Sequence, residues 1–280
     1  MRTLVLIVGV LSQIMSIAAQ PKILVHGHRG ARAVMPENTL PAFQYAIRSG
    51  ADVLELDMGV TKDNVVVVSH DSLLSAPVCT GPRDHAPIRE LTLDEVRKYD
   101  CGAKQNPSFP SQKTVPFTRM PTLDEVFEAA KASKVDFNIE TKILPDKPEL
   151  TPTPEEFVTL VLAVIRKHQL EKRVILQSFD FRTLRAMKKI APEIRLSALY
   201  AGEPKDFVAI AKEAGEVPIV SPMYPLVSKD QVDAAHKSGL QVVPWTANKP
   251  EDWQKLIDAG VDAIITDDPA ALVSYLKRKP

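Results

Sequence analysis

Four short charged motifs each close an apolar run in this chain. His28-Arg29-Gly30 follows Ile23-Leu24-Val25, and Glu55-Leu56-Asp57 follows the stretch 51–54. His70-Asp71 follows 65–69, and Glu140-Thr141-Lys142 follows Phe137-Asn138-Ile139. Charged groups that end apolar strands are costly to bury unless they are paired or metal-bound. Two imidazoles, three carboxylates and two cations at one place are the components of metal-assisted phosphate-ester chemistry. Glu55 and Asp57 stand two apart, so on an extended strand both face one side. That spacing makes an oxygen site for a hard divalent cation, and Glu140 can supply a third carboxylate. Oxygen-only ligation favours Mg²⁺ or Ca²⁺ over zinc. His28 and His70 are the candidate acid and base, because imidazole titrates near neutral pH. Arg29 and Lys142 are candidate phosphate ligands, Arg through its planar fork and Lys as a point charge. The plainer role for both is a salt bridge to the same carboxylates. His26 points to the same side as His28 but one layer deeper, and reads as core filling. His85, His168 and His236 read as packed or solvated side chains.

Such motifs need strand ends that converge. From residue 120 the sequence alternates strand and helix. Thr122 with Glu125 three positions on is a capping box, opening a helix over 126–130. Strands are expected near 139, 175, 198, 220, 243 and 265, the one at 243 covering 241–245. Helices are expected over 157–167, 181–190, 206–214, 228–238, 251–259 and 270–276. Upstream, strands over 22–27 and 51–57 flank a helix over 39–49, with Asn38 as its cap. Six strands and two make eight, the number of a (β/α)8 TIM barrel, an α/β fold whose chemistry sits at the carboxyl ends of its strands. A doubly wound sheet is the competing fold, but no Gly-rich phosphate loop supports it.

The run 65–68 is a ninth strand. Only 61–64 separates it from the strand before, too short for a parallel crossover, so it forms an antiparallel hairpin. A turn centred between Lys62 and Asp63 puts His70 opposite Glu55, at the barrel mouth. Residues 72–118 then fit neither rhythm. They are rich in proline and carry one helical stretch, 92–98, so residues 71–119 read as an insertion after the hairpin. Both cysteines, Cys79 and Cys101, lie there. Either they remain free thiols, or they bridge a loop of about 20 residues worth about 3 kcal/mol.

The chain has 280 residues, 45% of them hydrophobic and 25% charged, enough for one large domain. Its formal net charge is zero, so no global field favours nucleic acid or an anionic membrane. Residues 1–19 read as a signal peptide: Arg2, an apolar run over 4–11, then Ser16, Ala18 and Ala19 before a cut after Ala18 or Ala19. The folded domain is then 20–280, exported to the periplasm or medium. An N-terminal membrane anchor is the alternative reading. No later run approaches the ~20 apolar residues of a spanning helix, which argues against stable membrane insertion.

His28-Arg29-Gly30, Pro36-Glu37-Asn38-Thr39-Leu40, Glu55-Leu56-Asp57, His70-Asp71, Glu140-Thr141-Lys142 and Trp245-Thr246-Ala247-Asn248 occur in this order. In that order and spacing the chain resembles the glycerophosphodiester phosphodiesterase family from about residue 22 to 275. The resemblance implies a TIM barrel with a small insertion matching 72–118. It implies hydrolysis of glycerophosphodiesters to glycerol 3-phosphate and an alcohol, with one divalent metal. Carried over by position, Glu55, Asp57 and Glu140 hold the metal, and His28 and His70 are the acid/base pair. Arg29 binds the phosphate, Lys142 the phosphate or the glycerol end, and Trp245 walls the pocket. His26 and Thr141 depart from the family's usual aliphatic residues, and neither falls on the catalytic set. Two rival functions stand beside this one. A lysophospholipase D or sphingomyelinase D activity needs an apolar channel for an acyl chain. A non-catalytic solute-binding barrel has no use for an acid/base pair.

Overall fold

The computed structural model describes residues 22–278. The proposed signal peptide lies outside them. Eight parallel strands make a nearly closed barrel: β1 (Leu24–Gly27), β2 (Val53–Val60), β6 (Asp136–Thr141), β7 (Val174–Ser178), β8 (Arg195–Tyr200), β9 (Ile219–Pro222), β10 (Gln241–Val242) and β11 (Ala263–Thr266). Neighbours follow the order β10-β9-β8-β7-β6-β2-β1-β11. β10 is shorter than the expected 241–245. Pro244 has no N–H to give a ladder, so regular pairing ends before it. The seam to β11 is instead closed by Asp262 N to Val242 O (3.0 Å), Ile265 N to Pro244 O (3.0 Å) and Ala247 N to Ile265 O (3.1 Å).

Helices cover the outside. They are α1 (Leu40–Ser49), α3 (Leu123–Ala129), α4 (Pro154–Lys167), α5 (Phe181–Ile190), α6 (Phe207–Glu213), α7 (Lys229–Lys237), α8 (Pro250–Ala259) and α9 (Pro269–Lys277), with a short α2 (Leu93–Val96) in the segment between β2 and α3. On α4, Phe157, Val158, Val161, Leu162 and Ile165 recur at helical spacing, and all are buried against the sheet. The capping box of Thr122 and Glu125 forms as expected. Among the described residues no helix is long and apolar enough to cross a membrane. The cap of α1 differs from expectation. Thr39 holds that place, its hydroxyl accepting from Ala42 N at 3.4 Å. Asn38 is turned to φ +56° and sends its side chain into the barrel mouth instead.

The barrel interior has an apolar group, Ile175, Ile219, Val243, Ala263 and Ile265. It also holds a polar set: His26, Asn138, Gln177, Ser197 and Ser221 are all buried. Burial holds His26 neutral, with its pKa lowered to about 3. The unfolded chain binds a proton there below about pH 6.5, and the folded state does not. Stability attributable to this site is therefore lost as pH falls. Relative to His26→Val, the wild type should weaken by about 2 kcal/mol between neutrality and pH 5. Urea unfolding of both proteins at the two pH values measures this, and a pH-independent difference would place His26 in contact with solvent.

β3 (Val66–Val68) pairs antiparallel with the upper half of β2, as Met58↔Val68, Gly59↔Val67 and Val60↔Val66. The hairpin forms, but its centre is shifted from the expected position. Thr61 N bonds Val65 O at 3.0 Å, leaving a loop of Lys62, Asp63 and Asn64 with Asn64 at φ +61°. A left-handed residue closing such a loop is a standard hairpin geometry. Continued downward, this register sets Ser69 opposite Asp57, with Ser69 N to Asp57 O at 3.0 Å, and so Asp71 rather than His70 opposite Glu55.

The chain between β3 and α3 carries a two-stranded sheet, β4 (Leu73–Leu74) with β5 (Ala86–Pro87), which the sequence did not suggest. Its helix, α2, is shorter than the expected 92–98 and opens on a capping box of Thr92 and Glu95. Leu74, Ile88, Val96, Tyr99 and Met120 pack on Val67 as a separate small core. Cys79 and Cys101 are bridged within it and are the two cysteines of the chain. Opening that bridge should cost about 3 kcal/mol by the chain-entropy account. Urea midpoints with and without reductant check this, and coincident curves would count against a stabilising bridge.

Candidate active site

The site begins at a tight turn. Gly30, at φ +83°, lies so close to α1 that an added Cβ would meet Ala42 at 2.8 Å. This lets the turn press against the helix while Arg29, at φ +50°, points inward. Arg29 N donates to Glu55 Oε2 at 2.8 Å. Its guanidinium donates to Glu37 Oε1 at 2.7 Å and lies 3.2 Å from Asp57 Oδ2.

The parallel register of β2 and β6 sets Asp57 directly beside Glu140 and Glu55 beside Asn138. Ligand atoms of Glu55, Asp57 and Glu140 lie within 4.8 Å of one another, and all three residues are buried. Lys142 Nζ is 2.9 Å from Glu140 Oε1 and 3.6 Å from Asp57 Oδ1. Asn38 Nδ2 donates to Asp57 Oδ2 at 2.9 Å.

His28 and His70 reach the same cavity of about 220 Å³, together with Arg29, Lys142 and the three carboxylates. Phe179, Leu199, Trp245 and Ile265 form its apolar wall. Trp245 is fixed by Nε1 donating to Ser221 O at 2.8 Å and by an edge contact with Phe179, ring centres 5.4 Å apart. The structure thus brings all eight residues singled out in the sequence to one mouth. His70 arrives there despite the shifted hairpin centre.

Residues 28–271 match the model of the glycerophosphoryl diester phosphodiesterase family. The chain belongs to that family. It is 35% identical to a glycerophosphodiester phosphodiesterase of Caldanaerobacter subterraneus over 92% of this chain and 99% of the relative. A solved Silicibacter pomeroyi protein superposes with a TM-score of 0.86 at 29% identity, covering 93% of this chain and 94% of that one. A glycerophosphodiester phosphodiesterase of Thermotoga maritima does so with 0.68 at 27% identity, covering 90% and 98%. The protein is therefore an enzyme, a phosphoric diester hydrolase with the family's barrel.

In this phosphodiesterase the acidic triad is electrostatically short of positive charge. Burial and the neighbouring Asp57 push the Glu55 carboxyl well above its usual range. Glu140 is pushed up to about 7, first by burial and then by Asp57, against the pull of Lys142. Burial also opposes the charge on Asp57, but Arg29 and Lys142 outweigh it and hold that carboxyl low. A divalent cation would relieve the repulsion, and three clustered carboxylate oxygens suit a hard ion. The donor set therefore fits the metal that the family requires.

Each histidine has a carboxylate behind it. His28 Nδ1 is 2.5 Å from Asp267 Oδ1, and His70 Nδ1 is 2.7 Å from Asp71 Oδ1. A proton held on Nδ1 leaves Nε2 for chemistry, as in other carboxylate–imidazole pairs. His28 Nε2 lies 4.0 Å from Glu55 Oε2. Burial lowers the His28 pKa and so favours the neutral ring, against the opposing pull of Asp267. Asp267 is in turn bound by Asn248 Nδ2 at 2.7 Å and faces Arg32 Nε at 2.8 Å. The sequence pattern does not single out Asp267, Arg32 or Gln177, and it offers Asn38 as a helix cap where the structure has it bonded to Asp57. Asp267 follows Ile264-Ile265-Thr266, so an acid closing an apolar run was the available signal.

Proposed function

We propose that this enzyme cleaves glycerophosphodiesters to sn-glycerol 3-phosphate and the freed alcohol, using one Mg²⁺ or Ca²⁺ on Glu55, Asp57 and Glu140. The observation that carries this reading is the buried triad facing two carboxylate-backed imidazoles across one cavity. The bound cation supplies charge neutralisation at the phosphate and favours ionisation of the attacking oxygen. Arg29 and Lys142 add positive charge where the phosphate charge develops. One imidazole removes the proton of the nucleophile, either water, or the glycerol 2-hydroxyl, giving a cyclic phosphate that water then opens to glycerol 3-phosphate. The other protonates the departing alcohol. Trp245 with Phe179, Leu199 and Ile265 offers an apolar wall to the carbon skeleton. Export to an oxidising compartment is part of the proposal, and the buried Cys79–Cys101 bridge supports it.

The test is release of glycerol 3-phosphate from glycerophosphocholine, glycerophosphoethanolamine and glycerophosphoinositol, with lysophosphatidylcholine alongside, in Mg²⁺, Ca²⁺ or chelator. Release from at least one small diester, dependent on the cation, is expected. Turnover of lysophosphatidylcholine alone would replace this reading with a lysophospholipase D activity. No turnover at all with either cation would overturn it.

A further inference from the structure

Three neutral side chains lie beneath the acidic triad and are not used by the chemistry above. They are His26 on β1, Asn138 on β6 and Gln177 on β7, each 1% exposed. Gln177 Nε2 donates to Glu55 Oε1 at 2.9 Å. Asn138 Nδ2 donates to Gln177 Oε1 at 2.8 Å and lies 3.5 Å from His26 Nδ1. We infer that Gln177, held in one orientation by Asn138, is a positioning residue that aims Glu55 at the cation. The inference rests on the reading of Glu55 as a metal ligand.

The direction of the chain follows from its upper end. A carboxylate only accepts hydrogen bonds, so Gln177 must present its NH₂ upward. Its oxygen then faces down and needs a donor, which among the described residues the NH₂ of Asn138 supplies. A flipped Asn138 would set oxygen against oxygen, and a flipped Gln177 would set oxygen against Glu55. At the lower end, the neutral His26 ring offers a lone pair to the second hydrogen of Asn138. The cost shows in Asn138 Oδ1, which is buried with no hydrogen-bond partner. An unpaired buried oxygen is unfavourable, so the orientation does not serve Asn138 itself. It serves the last acceptor in the line. Because Gln177 Oε1 is committed to Asn138, Gln177 orients a ligand and is not one.

Glu55 has two fixed donors, Arg29 N on Oε2 and Gln177 Nε2 on Oε1. Together they set the plane of the carboxylate. Groups of this kind typically change metal affinity by about 10–100-fold when lost.

Calorimetric titration of the folded, metal-free enzyme with Mg²⁺ or Ca²⁺ tests the inference without reference to turnover. Gln177→Met keeps the size of the side chain and removes its donor. It should bind the cation about 10–100-fold more weakly than wild type, with little change in melting temperature. Asn138→Leu should weaken binding less, since Gln177 keeps its donor but loses the partner that fixes its direction. The double variant should bind no more weakly than Gln177→Met alone, because both changes act through one contact. Additive losses in the double variant would overturn the relay, and wild-type affinity in Gln177→Met would overturn the inference while leaving the triad intact. Wild-type protein that binds neither cation would overturn both. Should Gln177→Met fail to fold, Gln177→Glu gives the same decision. It replaces the donor with a charge facing Glu55, and unchanged cation affinity there would refute the positioning role.

Discussion

Glu55→Gln should lower cation-dependent turnover by about 10³-fold or more. The substitution is nearly isosteric, but it removes a ligand charge and places an NH₂ where two donors already converge. Arg29 N and Gln177 Nε2 each face one Glu55 oxygen, so either orientation of the new amide sets donor against donor. Chelation of the wild type should have the same consequence, and Mg²⁺ or Ca²⁺ should reverse it. The pH dependence has a definite sign. Glu140 is pushed up to about 7 and Glu55 lies well above its usual range, so the metal-free site holds protons near neutrality. Cation binding must expel them. Affinity should therefore rise as pH rises through about 7. Calorimetry in buffers of different ionisation enthalpy would read the proton release directly. Full turnover by Glu55→Gln in chelator would refute a metal-dependent site.

The second large effect separates the two histidines. An alkoxide leaving group is strongly basic and needs a proton as its bond breaks, whereas a nitrophenoxide needs little help. Loss of the general acid should cost about 10²–10⁴-fold on a glycerophosphodiester and far less on a nitrophenyl diester. Loss of the base should hurt both, provided both substrates use the same nucleophile. His28→Ala and His70→Ala should therefore show different leaving-group patterns. Asp267 extends the argument, because it binds His28 Nδ1 and no comparable contact joins it to His70. Asp267→Asn should share the pattern of His28→Ala, not that of His70→Ala. Comparison of kcat/KM for the three variants on both substrates decides the matter, once each is shown to fold and bind the cation. Equal losses on both substrates by both histidine variants would remove the acid/base pairing.

Most of the barrel was legible because its strands are short apolar runs bounded by turn residues, and because α4 repeats its apolar face at helical spacing. The readings failed where one residue's backbone overrode the pattern. Pro244 cut β10 short, and Asn64 in a left-handed conformation moved the hairpin centre. Asn38 looked like a helix cap by type and position, yet its φ of +56° turns it toward Asp57. Within the site, charged residues at strand ends could be found because charge near an apolar run is conspicuous. Gln177 is neutral and lies inside a run, so nothing local marks it. Its importance depends on which residue stands two strands away on β2, and that is set by the register and curvature of the sheet.

The bond between His28 and Asp267 spans 239 residues, from the first strand of the barrel to the loop after the last. β1 pairs with β11 in the same seam, Gly27 beside Thr266. Contacts so distant in sequence form late, because their loop-closure entropy must be overcome before they add stability. The helices and the local β2–β3 hairpin can form while the chain is still an open sheet, but His28 then lacks its carboxylate. Regain of turnover during refolding is therefore a clock for ring closure, and recovery of helical ellipticity is a clock for what precedes it. The interval between the two measures the lifetime of a chain that has its layers but not its circumference.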